Sequence, residues 1–353
     1  MTEPQPTYHP ENNYNHSSFP YDLNFVFSMQ RYHMIISSIM CVFGSFINFF
    51  VILAFLRCRR LRSATNWFVF SLSMSDFTCS AIITPSGAVY YFVPGLADNT
   101  FFCVFFNGLR LVILYCTELL SLLLIAIDRF IAVTRPLKYR QIMTRERAKT
   151  MVALVWVFSY VFGYVPAVVD TGLNSWIDLC DGYFKYSTIF SLIFVYGLFT
   201  FSFLAILVIY AIVFVRARTQ LKRKIGDMSN GELKKKVSNS ATVAKTMFVI
   251  VAIFTIAWVP NMTISQILLH CEQVEIRGQV FSQCSNNINH NLALGMKYYS
   301  LTFVVISSAI NPLLYSYRIR LLRKEVRKLV LCCLPKKRQV NEAHPVGISI
   351  ISN

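Results

Sequence analysis

The stretch 107–133, NGLRLVILYCTELLSLLLIAIDRFIAV, decides how this chain is read. It exceeds the length of about 20 mostly apolar residues that crosses a bilayer. Inside hydrocarbon each backbone group must find its partner within the segment, so the stretch is a helix and not a strand. Yet it carries Glu118 at mid-span and closes on Asp128-Arg129. Ionisable groups are costly at that depth, so each is a functional hypothesis.

Six more apolar runs flank it: Met34–Leu56, Trp67–Tyr91, Met151–Val169, Ser187–Val215, Val243–Leu269 and Leu292–Tyr317. Composition agrees. The 353 residues are 55% hydrophobic and 14% charged, against roughly 25% charged in a soluble domain. Mean hydropathy is +0.50. This excludes a disordered chain, a disulfide miniprotein and a collagen-like fibre. The net charge of +17 does not point to nucleic acid, because the basic residues lie between apolar runs. They mark the inner face of a membrane. The expected fold is an all-α bundle of seven spans.

All but five of the 34 lysines and arginines fall on one side of such a bundle. Only Arg31, Arg110, Lys185, Arg277 and Lys297 fall on the other. Positive charge stays cytoplasmic, which places the N-terminus outside and the C-terminus inside a multi-pass plasma-membrane protein. The chain divides into an extracellular tail (1–33), a seven-span domain (34–317), a short amphipathic eighth helix (318–333) and a cytoplasmic tail (334–353). The first 30 residues are polar, so no cleavable signal is expected and the first span directs insertion. Acids on the outer side weakly favour cationic ligands.

Four cysteines, Cys103, Cys180, Cys271 and Cys284, are extracellular by this topology and imply two disulfides among three connectivities. Cys103–Cys180 and Cys271–Cys284 are the natural pairs. Cys332 and Cys333 end the basic amphipathic stretch and are palmitoylation sites by position. Asn15-His16-Ser17 is an acceptor for N-linked sugar.

Asp76, Glu118, Asn48 and Asn311 lie within spans and converge on a polar core suited to a cation or water. Pro85, Pro166, Pro260 and Pro312 each remove a backbone hydrogen bond from a span and kink it.

Together these residues resemble the rhodopsin-like (class A) G-protein-coupled receptors. The resemblance covers Met34 to Cys333. It rests on Asn48, on Leu72-Ser73-Met74-Ser75-Asp76, on Asp128-Arg129-Phe130, on Trp156 and on Tyr210. It continues in Phe254-Thr255-Ile256-Ala257-Trp258-Val259-Pro260 and in Asn311-Pro312-Leu313-Leu314-Tyr315. The resemblance implies that Asp128 holds Arg129 when the receptor is off. An extracellular ligand then swings the sixth helix about Pro260, with Phe254 and Trp258 at the pivot. Arg129, Tyr210 and Tyr315 rearrange, and a heterotrimeric G protein enters the cleft. It also implies an allosteric sodium ion at Asn48, Asp76, Glu118 and Asn311, and no other cofactor or metal.

The chain departs from the pattern in several places. Ser202 stands where the fifth helix usually has proline, Ala257 where the sixth has cysteine, and Ser240 where an acid often pairs with the arginine. A looser off state is therefore expected. Cys103 lies one residue further from Arg129 than usual. Glu118 replaces a small hydroxyl residue, and two neighbouring carboxylates hold either a shared proton or a cation.

The ligand pocket falls to Asn107, Leu111, Val112 and Tyr115 on the third helix, Trp258, Asn261, Met262 and Ser265 on the sixth, and Lys297, Leu301 and Thr302 on the seventh. The acid that anchors amines in aminergic receptors is replaced by Leu111. The opsin Schiff-base lysine is replaced by Val305, and Lys297 lies too high to substitute. The long third outer loop favours a peptide ligand over a small non-amine molecule. A tail with only Ser349 and Ser352 as late hydroxyls predicts weak arrestin recruitment. No transporter repeat, catalytic motif or metal cluster appears, so no enzyme is expected. A receptor that binds without signalling is the remaining rival.

Overall fold

The structure, a computed structural model, describes residues 23–93, 100–169, 196–226, 249, 252–267 and 290–333. The first helix, α1, is Leu23–Arg57. A tight turn, Arg59–Leu61, leads to Ser63, whose hydroxyl caps the next helix by accepting the Asn66 N–H at 3.4 Å. That helix, α2, runs Ala64–Thr78, widens through a π turn at Cys79–Ile83 and continues as Thr84–Phe92. Likewise α3 runs Thr100–Arg110, widens at Leu111–Thr117 and continues as Glu118–Thr134. One helical turn, Tyr139–Ile142, precedes α4, Arg145–Val169. Then come α5 (Gly197–Gly226), α6 (252–267), α7 (His290–Arg318) and α8 (Arg320–Cys333).

Three segments, Ser28–Arg57, Ala64–Gly87 and Gly197–Arg216, are long and apolar enough to cross a membrane by composition alone. The helix of the first span begins at Leu23 rather than Met34, so its opening turns rise above the apolar portion. Burial is inverted relative to a soluble protein. Asn48, Asp76, Glu118, Asp128 and Ser308 are fully buried, while Val42, Phe201 and Ile256 are 74%, 72% and 65% exposed. Such an apolar exterior around a polar axis needs lipid as solvent.

The bundle is tied by close approaches. α1 packs chiefly on α7 and α2, and α3 on α5 and α2. A Cβ on Gly163 of α4 would stand 2.4 Å from Val112 Cγ2 and 3.2 Å from the Gly108 carbonyl oxygen of α3. Small residues permit this contact, as is usual between membrane helices. The Ser71 hydroxyl joins three helices, lying 2.9 Å from Ser121 and accepting Trp156 Nε1–H at 3.0 Å. On the inner side Leu322 of α8 is buried, and Leu321, Val326 and Leu329 pack against the core. Arg323, Lys324, Arg327 and Lys328 stay exposed.

Each of the two π turns is bridged by a threonine hydroxyl. Thr117 donates to the Val112 carbonyl at 2.9 Å and Thr84 to the Cys79 carbonyl at 3.0 Å, each across five residues. The extra residue between Cys103 and Arg129 is taken up at Leu111–Thr117. Above that turn α3 therefore keeps the register that a helix one residue shorter would have.

Candidate functional site

At the inner end, Arg129 Nε donates to Asp128 Oδ2 at 2.9 Å, and Nη2 reaches the same oxygen. Nη2 also donates to Thr65 Oγ1 at 2.6 Å. Thr65 in turn donates to Asp128 Oδ2 at 2.9 Å, and the Tyr139 hydroxyl donates to Oδ1 at 2.6 Å. Asp128 is fully buried and the Arg129 side chain is 16% exposed. The carboxylate is thus satisfied from three elements: α2, α3 and the turn at Tyr139. Burial first, and its hydrogen bond to Asp128 second, hold the Tyr139 proton on above the ordinary phenol value of 10. Tyr139 is therefore a donor throughout the physiological range.

At mid-bundle, Asn311 Nδ2 donates to Asp76 Oδ2 at 3.3 Å and Ser308 Oγ to Glu118 Oε1 at 3.5 Å. Asn48 Nδ2 bonds its own helix at the Gly44 carbonyl, 3.0 Å away. The other oxygens, Asp76 Oδ1, Glu118 Oε2 and Asn48 Oδ1, are buried with no donor among the described residues. Buried acceptors of this kind call for a cation, a proton or water. An oxygen-only donor set with two carboxylates fits a hard cation.

Above it lies an aromatic cluster. Trp258 is 1% exposed, with its ring 5.6 Å from Phe254 and 5.9 Å from Phe199 of α5. Phe199 also stacks on Phe254 at 6.4 Å. A shift of α6 must therefore repack against α5. Toward the outer mouth, Asn261 Nδ2 donates to Ser300 Oγ at 3.3 Å, and Ser300 donates to the Lys297 carbonyl at 2.9 Å. His33 Nδ1 lies 2.9 Å from Thr302 Oγ1, joining α1 to α7.

Residues 47–315 match the sequence model of the 7 transmembrane receptor (rhodopsin family). This chain belongs to that family. As a rhodopsin-family receptor it is a multi-pass membrane protein and not an enzyme. Similar proteins include the adenosine receptor A2a of Canis lupus familiaris, 27% identical over 79% of this chain and 67% of that protein. The human adenosine receptor A2a is 27% identical over 76% of this chain and 65% of its own length. The histamine H2 receptor of Rattus norvegicus is 28% identical over 81% and 75%. The chain thus spans about two thirds of the length of the adenosine receptors it resembles.

In this rhodopsin-family receptor the structure brings Asp128 to Arg129, Asp76 to Asn311, and Phe254 to Trp258. Tyr210 is buried in α5, and Pro312 lies inside α7. Pro260 lies in α6, as do Asn261 and Ser265, while Leu301 lies in α7. The backbones of Cys103, Asn107, Leu111, Tyr115, Tyr315, Cys332 and Cys333 are helical, but their side chains lie outside the described residues. So do Asn15, Cys180, Ser240, Cys271 and Cys284. Sequence reasoning missed Thr65, Tyr139, Ser308 and Phe199. A hydroxyl at a helix start and a tyrosine in a basic loop carry no motif, and only the fold sets them beside Asp128.

Proposed function

We propose that this chain is a plasma-membrane receptor, N-terminus outside, that binds an extracellular ligand in the outer half of the bundle and activates heterotrimeric G proteins at the inner face. The observation that carries this reading is the buried Asp128–Arg129 pair held by Thr65 and Tyr139. Activation would require this cluster to open together with an outward movement of α6. The ligand biases the equilibrium only by binding the open state better. Asp76, Glu118, Asn48 and Asn311 would hold a sodium ion, which would supply charge neutralisation at the bundle centre when bound.

Relatives named for adenosine and histamine support a small molecule as ligand and lend none to the peptide preference. The third outer loop on which that preference rests lies outside the described residues. Cys103–Cys180 and Cys271–Cys284 disulfides, sugar on Asn15, palmitate on Cys332 and Cys333, and weak arrestin recruitment complete the proposal.

The test is a panel of G-protein dissociation sensors in cells, comparing the intact receptor with Arg129→Ala. Basal signal on one sensor that Arg129→Ala changes supports coupling and names the transducer. Silence on every sensor, with surface expression confirmed, favours a receptor that binds without signalling.

A further inference from the structure

Arg147 belongs to none of the motifs read above, yet it ties the inner cluster to α4. The Tyr139 hydroxyl reaches Asp128 from a single helical turn, Tyr139–Ile142. So short a helix does not hold itself, because nucleation outweighs the few hydrogen bonds it makes. The Gln141 and Ile142 N–H groups both donate to the Lys138 carbonyl at 3.0 Å, and Met143 donates to the Tyr139 carbonyl at 2.8 Å. The last carbonyls of such a turn need partners from outside it. Arg147 supplies them: its Nη1 donates to the Gln141 oxygen at 3.0 Å and to the Ile142 oxygen at 2.9 Å. A basic side chain is a suitable cap there, because it also meets the negative end of the backbone dipoles.

The arginine is itself placed by its neighbours. It stands in the first turn of α4, where the Thr144 hydroxyl accepts its N–H at 3.3 Å and the Thr144 carbonyl accepts the Ala148 N–H at 3.0 Å. Met143 and Ala148, on either side of it, are buried and fix the corner between the turn and α4. Two residues on, Lys149 Nζ lies over the Trp67 ring, 5.7 Å from its centroid. Trp67 is in turn two residues beyond Thr65, the other donor to Asp128. The start of α4 thus reaches both segments that satisfy the buried carboxylate.

We propose that Arg147 is a positioning residue for the inner cluster. It caps the turn that carries Tyr139, keeps that hydroxyl on Asp128, and so acts through Tyr139. Its consequence, a lower basal activity, rests on the receptor reading. Its geometry does not, and the two are measured separately.

The first arm needs no coupling. Hydrogen–deuterium exchange of the purified full chain in detergent is followed at the amides of residues 139–143. Arg147→Gln should speed exchange there several-fold, Arg147→Lys should speed it less, and Arg145→Gln, at an exposed neighbour, should leave it unchanged. The second arm is a mutant cycle on the basal G-protein sensors at matched surface expression. Arg147→Gln should raise the signal about two- to fivefold, as loss of a single hydrogen bond would. Arg147→Lys should restore part of the closed state. Added to Tyr139→Phe, Arg147→Gln should change nothing further, because both act on one contact. Unchanged exchange in Arg147→Gln would overturn the proposal. So would a rise that adds in full to that of Tyr139→Phe, since it would come by another route. Faster exchange with every variant silent on every sensor supports the cap and counts against the coupling reading instead.

Discussion

The Tyr139 hydroxyl donates to Asp128 Oδ1 across 2.6 Å, so a residue outside the membrane helices completes the shell of the buried acid beside Arg129. Among the described residues, Asp128 and Arg129 are thereby latched by α2, α3 and the inner turn. This matters because Ser240 offers no carboxylate on the sixth helix's side. Tyr139 carries a raised pKa, so its contribution is fully present below the ordinary phenol value and is lost only as pH rises through the raised one. Basal signalling that depends on this hydroxyl should therefore be flat from neutral to mildly alkaline pH. A pH series of the sensor signal checks it.

Thr65→Val keeps the shape but removes the acceptor of Arg129 and a donor to Asp128. One buried hydrogen bond is worth about 1 kcal/mol net, so the closed-to-open ratio should fall about fivefold. Basal sensor signal should rise accordingly at equal surface expression.

Gly163→Ala should be poorly tolerated, because its new carbon would meet Val112 at 2.4 Å and a backbone oxygen at 3.2 Å. Overpacking of this kind costs about 1–3 kcal/mol. A lower Tm in detergent and lower surface expression are expected, whereas Ala substituted for exposed Val161 on the same helix should change little.

Deleting Leu114 should convert the wide turn of α3 into a regular one and preserve the register of the helix above and below it. The shortened protein should reach the cell surface. Deleting Leu123, in the regular lower half, should rotate all of α3 above it and abolish expression. Surface labelling of both deletions decides the matter.

Sodium should stabilise the receptor. A ligand that binds the folded state alone raises stability by mass action. Replacing sodium by choline should lower Tm, and Asp76→Asn should remove that dependence. A Tm that ignores sodium but follows pH would favour a proton shared by Asp76 and Glu118 instead.

Much of this architecture was legible before any coordinates, because lipid imposes long apolar runs and a charge bias that survive in one sequence. Asp76, Glu118 and Asn311 announced themselves as polar residues in apolar surroundings. Thr65, Tyr139 and Phe199 did not, since a threonine, a loop tyrosine or a phenylalanine is ordinary in its local context and acquires a role only through distant packing. The register of α3 above its wide turn was not legible for a different reason. Periodicity assumes a uniform turn, and the wide turn at Leu111–Thr117 leaves no mark in composition.

The most direct measurement is basal G-protein dissociation in cells for Tyr139→Phe, with and without Arg129→Ala, at matched surface expression. The account predicts that Tyr139→Phe raises the signal on at least one sensor and that adding Arg129→Ala abolishes the rise. A Tyr139→Phe receptor that is silent on every sensor, or whose signal survives loss of Arg129, would contradict it.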